Sequence, residues 1–153
     1  MKVEIINFKA QIAVAMKVTA IGMDKMAEEM DAGYKKLMVY VSEQGKQIAG
    51  APYCCYTNCS EDFSQFDMEL AIPVNEALSI SGDFFMSQSY DGRAVTATHK
   101  GAYKDVEIAY TALMQYMAEN KLESTGVYYD YYINNPADTQ ESELLTQVVF
   151  PIK

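Results

Sequence analysis

Tryptophan is absent from this 153-residue chain, histidine occurs once, at His99, and there are only three cysteines. Basic residues are also scarce: 12 Lys and Arg stand against 21 Asp and Glu, a formal charge of −9. A net negative field repels phosphate backbones and anionic lipid headgroups, so neither direct nucleic-acid binding nor membrane docking is expected. Three cysteines, two of them adjacent at Cys54 and Cys55, make a poor disulfide framework and a thin supply of soft metal ligands. No metal and no cofactor is expected. No apolar run approaches the ~18–20 residues that a membrane helix needs. The opening Met1-Lys2-Val3-Glu4 meets a charge at its second residue and has no apolar stretch, unlike a signal peptide. These absences predict a cytoplasmic protein with reduced thiols. Walker, dinucleotide and nucleophile-elbow motifs are missing too.

What remains is a chain that is 50% hydrophobic, with 12 tyrosines and 10 methionines. That is enough apolar material for the core of one domain. The chain also repeats itself. Tyr53-Cys54-Cys55-Tyr56-Thr57-Asn58, an acidic turn and Ile72-Pro73-Val74 in the first half match Tyr129-Asp130-Tyr131-Tyr132-Ile133-Asn134, a turn at Asn135-Pro136 and Phe150-Pro151-Ile152 in the second. The pseudo-repeats run over about 1–76 and 82–153, and the short joint between them predicts a single domain of 1–153.

Each half carries one segment of helical period. Met23, Met26, Ala27, Met30, Tyr34, Leu37, Met38 and Val41 recur every three or four residues, with charged side chains between them. This predicts a helix over 23–43 that is weakened at Gly33, by about 1 kcal/mol against alanine, and capped near Gly45. Val106, Ala109, Tyr110, Leu113, Tyr116 and Met117 predict a second helix over 103–120. Alternation and β-branched or aromatic content predict strands at 4–8, 11–16, 53–57, 66–74, 84–89, 94–98, 127–134 and 144–152. Asp91-Gly92 between two of them is a hairpin signal. The order β-β-α-β-β, twice, predicts an α+β class: a tandem duplication of a β-α-β-β module, with an antiparallel sheet and two helices flanking a central groove.

In the second half, His99-Lys100-Gly101-Ala102-Tyr103, a helix ending in Glu119-Asn120-Lys121-Leu122, Gly126, then Asp130-Tyr131-Tyr132-Ile133-Asn134-Asn135-Pro136 and Val149-Phe150-Pro151-Ile152 follow one another in a characteristic order. This order resembles the GyrI-like, or effector-binding, small-molecule-binding domain. That family includes ligand domains fused to AraC- and MerR-type transcription regulators and free-standing gyrase-inhibitory proteins. The resemblance implies two β-α-β-β modules about a pseudo-twofold, with ligands held in the groove. Members carry a Glu-x-Tyr pair whose acid lies at the base of the pocket. The matching positions are Asp130 and Tyr132, the acid being one methylene shorter. No residues are left over for the family's helix-turn-helix, so a free-standing domain is implied. Some relatives are linked to hydrolysis of cyclopropane-containing natural products.

Alternation places Tyr128, Asp130 and Tyr132 on one strand face, and Tyr129 and Tyr131 on the other. The repeat sets Cys54 at the place of Asp130 and Tyr56 at that of Tyr132. The expected ligand site is therefore Asp130, Tyr132, Tyr128, Cys54 and Tyr56, walled by Tyr103, Tyr110, Met26 and Met30, with Met23 and Met114 as further wall candidates. Phenol faces attract cations and methionine adapts to irregular apolar shapes. The partner expected is thus a small, aromatic or cationic organic molecule that the protein senses or sequesters. Two other readings stand beside it. One is a hydrolase using the same groove, with Asp130 as acid or base or with a Cys54 nucleophile served by His99 and Asp130. The other is an inhibitory protein that engages a DNA-handling enzyme. For Cys54, Cys55 and Cys59, plain buried thiols and a soft-metal site are the alternatives.

Overall fold

Strand pairing, not chain order, decides which segments pack together. The computed structural model describes residues 1–62 and 64–153, apart from the side chains of Met23 and Cys59. Its elements are β1 Glu4–Phe8, β2 Ile12–Gly22, α1 Met23–Glu43, β3 Tyr53–Cys59, β4 Gln65–Pro73, β5 Phe84–Gln88, β6 Gly92–Lys100, α2 Glu107–Glu119, β7 Tyr128–Tyr132 and β8 Leu145–Pro151. Short 3-10 turns lie at Tyr103–Asp105 and Glu141–Glu143. The class is α+β with antiparallel ladders, as the segment order predicts.

The chain divides into two compact units, one of residues 10–90 and one of Met1–Lys9 with Asp91–Lys153. In the first, β3, β4, β2 and β5 lie side by side in that order. In the second the order is β7, β8, β6, β1. Each unit is thus a β-α-β-β module widened by one edge strand. The hairpin expected at Asp91-Gly92 does not form: β5 pairs with β2, and β6 pairs with β1 and β8. Gly92 has φ +140, which is not the left-handed value that a type I′ turn requires. The longer ladders of β2 and β6 take the two strands instead.

Strand lengths differ from the sequence expectation where side chains intervene. β2 continues past Met16 through an irregularity between Val18 and Ile21. Ala20 there takes φ +52, and its N–H donates to Asp67 Oδ1 at 2.8 Å. At the other end of the chain β7 stops at Tyr132 because Asn134 leaves the ladder. Its amide donates to the Glu143 carbonyl at 3.0 Å and accepts the Leu145 N–H at 2.9 Å. The second helix begins with the 3-10 turn and becomes α-helical only at Glu107.

In the unit of residues 10–90, Val14, Leu37, Leu70 and Ile72 are fully buried. Met38, expected on the buried stripe, is 46% exposed, whereas Gly33 is buried. A methyl group placed on Gly33 would run into Leu70 Cδ1, with Met16 Sδ close behind. Gly33 therefore does not merely weaken α1; it lets the helix lie close on β4. Replacing it with alanine improves helix propensity by about 1 kcal/mol but overpacks a filled contact, at about 1–3 kcal/mol. The expected outcome for Gly33→Ala is a lower Tm in thermal unfolding; a rise would contradict the close-approach role.

In the other unit, Val95, Ala97, Ala109, Leu113, Met117, Val148, Phe150 and Ile152 form one buried cluster, joined by Val3, Val106, Tyr110 and Tyr128. The predicted α2 stripe is therefore the buried face. That cluster also fixes which sheet face looks toward α2.

Candidate functional site

Register assembles the site on that α2-facing side. Across β6, β8 and β7, Ala97 lies opposite Val148, and Val148 opposite Asp130. The next row along is His99, Thr146 and Tyr132. On the other side of Asp130, Tyr128 packs against Phe150, with ring centroids 5.3 Å apart. One apolar row carrying a single acid thus lies between an aromatic row and a polar one.

Asp130 is 3% exposed. The Tyr110 hydroxyl, from α2, donates to its Oδ2 at 2.5 Å. The Tyr110 ring meets Tyr128 edge-on at 5.5 Å and lies 6.0 Å from Phe150. Tyr103, in the 3-10 turn, meets Tyr132 edge-on at 5.4 Å. Tyr103, Tyr110, Tyr128 and Tyr132 are all half-buried, so each ring still shows a surface to solvent while the acid beneath does not. Burial raises the phenol of Tyr103 above its ordinary value near 10. The structure thus brings together Asp130, Tyr110, Tyr128, Tyr103 and Tyr132, all expected from the sequence. Tyr129 and Tyr131 take the opposite face, where their rings stack at 6.1 Å and Phe8 stacks on Tyr131 at 6.4 Å.

The matching positions in residues 10–90 carry no acid. Cys54, opposite Leu70 in the ladder, is fully buried, and its thiol points at Met68 Sδ at 3.5 Å. Tyr56 is buried, meets Phe66 edge-on at 6.1 Å and directs its hydroxyl toward Met26 Sδ at 4.0 Å. Met30 is half-buried on α1. Met114 is 55% exposed and is no wall, because it lies off the stripe of Ala109, Leu113 and Met117. Met23 lies outside the described side chains, as does Cys59 of the soft-metal alternative. Among the described residues no three His, Cys, Asp or Glu side chains converge as a metal site.

Two polar residues share the row with Tyr132: His99, weighed from the sequence only as a partner for Cys54, and Thr146, which the sequence reading missed. His99 is 4% exposed, and its Nε2 lies 3.0 Å from the Ala102 carbonyl, tying down the start of the linker to α2. Thr146 is 1% exposed. Period-two counting back from Phe150 through Val148 would have put Thr146 on this face. Two cavities described in the same unit lie elsewhere. One, of about 460 Å³, is lined by Val3, Ala112 and Tyr116; the other, of about 240 Å³, by Glu4, Thr96 and Gln147.

The duplicated β-α-β-β scaffold thus carries a buried acid beneath an aromatic rim in one of its two units. The chain belongs to the GyrI-like small molecule binding domain family, whose model matches residues 1–153. Among solved structures it is similar to the EcmrR C-terminal domain, at 20% identity over 99% of this chain and 97% of that one, TM-score 0.82. It also matches EcmrR in its complex with DNA, at 19% identity and TM-score 0.86, where it covers 99% of itself but spans only 57% of the EcmrR chain. SAV2435 bound to tetraphenylphosphonium matches at 15% identity, over 100% of this chain and 94% of that one, TM-score 0.68. A hydrolase from Listeria innocua matches at 11% identity, over 99% and 92%, TM-score 0.70. At these identities the likeness is one of fold. No curated protein matches the chain by sequence. No described helix is long and apolar enough to cross a membrane.

Two outcomes follow from this geometry. Tyr110→Phe removes the hydroxyl that holds a buried carboxyl, and denaturant unfolding is expected to show a loss of about 1–3 kcal/mol. Because the folded pKa of Tyr103 is raised, the stability owed to its neutral phenol is full below about pH 10 and lost as the pH climbs through the folded value. The alkaline ultraviolet titration of the wild type minus that of Tyr103→Phe is expected to have its midpoint above 10; a midpoint below it would contradict the burial effect.

Proposed function

We propose that this chain is a cytoplasmic small-molecule-binding protein that senses or sequesters a lipophilic organic cation, with the ligand's charge resting on Asp130. One observation carries the reading: a carboxyl 3% exposed, held by the Tyr110 hydroxyl beneath four half-buried tyrosines. An acid so placed attracts a cation far more strongly than a surface acid does, because water no longer screens it. Each phenol face adds about 0.5–2 kcal/mol when a cation lies over it. The net charge of −9 favours the approach of cations over anions. The positions in residues 10–90 that match Asp130 and Tyr132, Cys54 and Tyr56, are buried and uncharged, so the electrostatic recognition falls to Asp130. The tetraphenylphosphonium of SAV2435 is a ligand of the proposed kind.

Tetraphenylphosphonium is accordingly the first probe. Calorimetric titration is expected to give binding to the wild type, weakened at least about tenfold in Asp130→Asn, the equivalent of roughly 1.4 kcal/mol or more. Equal affinity in the two proteins would remove the carboxylate from recognition. The hydrolase alternative predicts slow loss of a bound neutral ester or cyclopropane compound over hours, abolished by Asp130→Asn; binding without turnover favours the receptor.

A further inference from the structure

The Thr146 hydroxyl departs from the usual pairing of buried polar groups. Oγ1 is buried and has no hydrogen-bond partner among the described residues. On the opposite face, the Thr96 hydroxyl donates to the Val148 carbonyl at 2.8 Å and accepts from the Gln147 amide at 3.2 Å. Buried hydroxyls in folded proteins are nearly always satisfied, and one that is not destabilises the chain that carries it. Thr146 therefore invites a partner from outside the chain.

Its position says which one. Thr146 is opposite Tyr132, and Asp130 is opposite Val148, so Thr146 is the diagonal neighbour of Asp130 on the α2-facing side. Diagonal neighbours in an antiparallel pair are about 7–8 Å apart, within the span of one organic ring system. The segment beside this row is a linker, not a helix. Gly101, at φ +127, donates its N–H to the Leu144 carbonyl at 2.8 Å. His99 holds Ala102, and the 3-10 turn then carries Tyr103 onto Tyr132.

We propose that Thr146 is a specificity-determining residue of the ligand site: its hydroxyl hydrogen-bonds a polar group, such as a hydroxyl, ether or carbonyl, borne by the organic cation whose charge rests on Asp130. The proposal builds on the cation reading and narrows it. The preferred ligand is a lipophilic cation with a hydrogen-bonding group about one ring away from the charge. A site built around a buried hydroxyl discriminates against ligands that leave it unmatched. Tetraphenylphosphonium, which has no such group, meets Asp130 and the phenols but leaves Thr146 unsatisfied.

The test compares tetraphenylphosphonium with para- and meta-hydroxyphenyl triphenylphosphonium on the wild type, Thr146→Val and Thr146→Ser. At least one hydroxylated cation is expected to bind the wild type about tenfold more tightly than the parent compound. Thr146→Val is expected to erase that preference while leaving tetraphenylphosphonium within about twofold, and Thr146→Ser to keep it. Without ligand, Thr146→Val should raise Tm by about 2–6 °C, since it removes an unsatisfied buried hydroxyl. If tetraphenylphosphonium binds but hydroxylation brings no gain, or if Thr146→Val retains the gain, the Thr146 subsite is overturned and the cation reading stands. If none of the three cations binds the wild type, the cation reading fails and the subsite goes with it.

Discussion

The hydrogen bond from Tyr110 to Asp130 joins the two halves of the site. Asp130 comes from the strand β7, and Tyr110 from the helix that covers it. A carboxyl moved from water into a sheet face is costly unless something satisfies it. Here the satisfying group is also the aromatic wall of the site. The acid thereby fixes the rotamer of Tyr110, and through it the edge-on contacts with Tyr128 and Phe150. The proposed binding chemistry and the core packing use the same side chains, so the candidate site is a feature of the α2–sheet interface and not of a loop.

The duplicated scaffold divides its work unevenly. In residues 10–90 the position matching Asp130 is Cys54, and thiol, thioether and phenol groups satisfy one another there through Cys54–Met68 and Tyr56–Met26 contacts. That unit is sulfur-rich and uncharged at its equivalent floor. In the other unit the same fold positions carry an acid and a polar row. A shared backbone plan thus carries a buried acid at this position in one unit and a buried, uncharged thiol in the other.

Much of this was legible in the sequence. The helix periods, the split of the tyrosine run into two faces and the pairing of Asp130 with Tyr128 and Tyr132 follow from period counting, because burial of one face dictates it. Other features were hidden because they depend on contacts between distant segments. Gly33 looks like a defect until Leu70 is placed beneath it. Asp91-Gly92 looks like a hairpin until β2 and β6 offer longer ladders. Asn134 looks like strand until its amide meets Glu143 and Leu145. Thr146 looks unremarkable until the register puts it in one row with His99 beside the acid. Local pattern gives the face of a residue; only cross-strand register gives its neighbours.

The interleaving of the two units has a consequence for how the chain matures. The strand Glu4–Phe8 belongs with residues 91–153, yet it is synthesised before residues 10–90. It cannot find its partner, Gly92–Lys100, until residues 10–90 have been made. The intervening unit can complete its own ladders meanwhile. Glu4–Phe8 therefore waits without its ladder partner while residues 10–90 are made, and pairs only once Gly92–Lys100 follows. A cut between residues 90 and 91 would consequently not yield two self-sufficient fragments, since one would be left without its outer strand and the other with a surplus one.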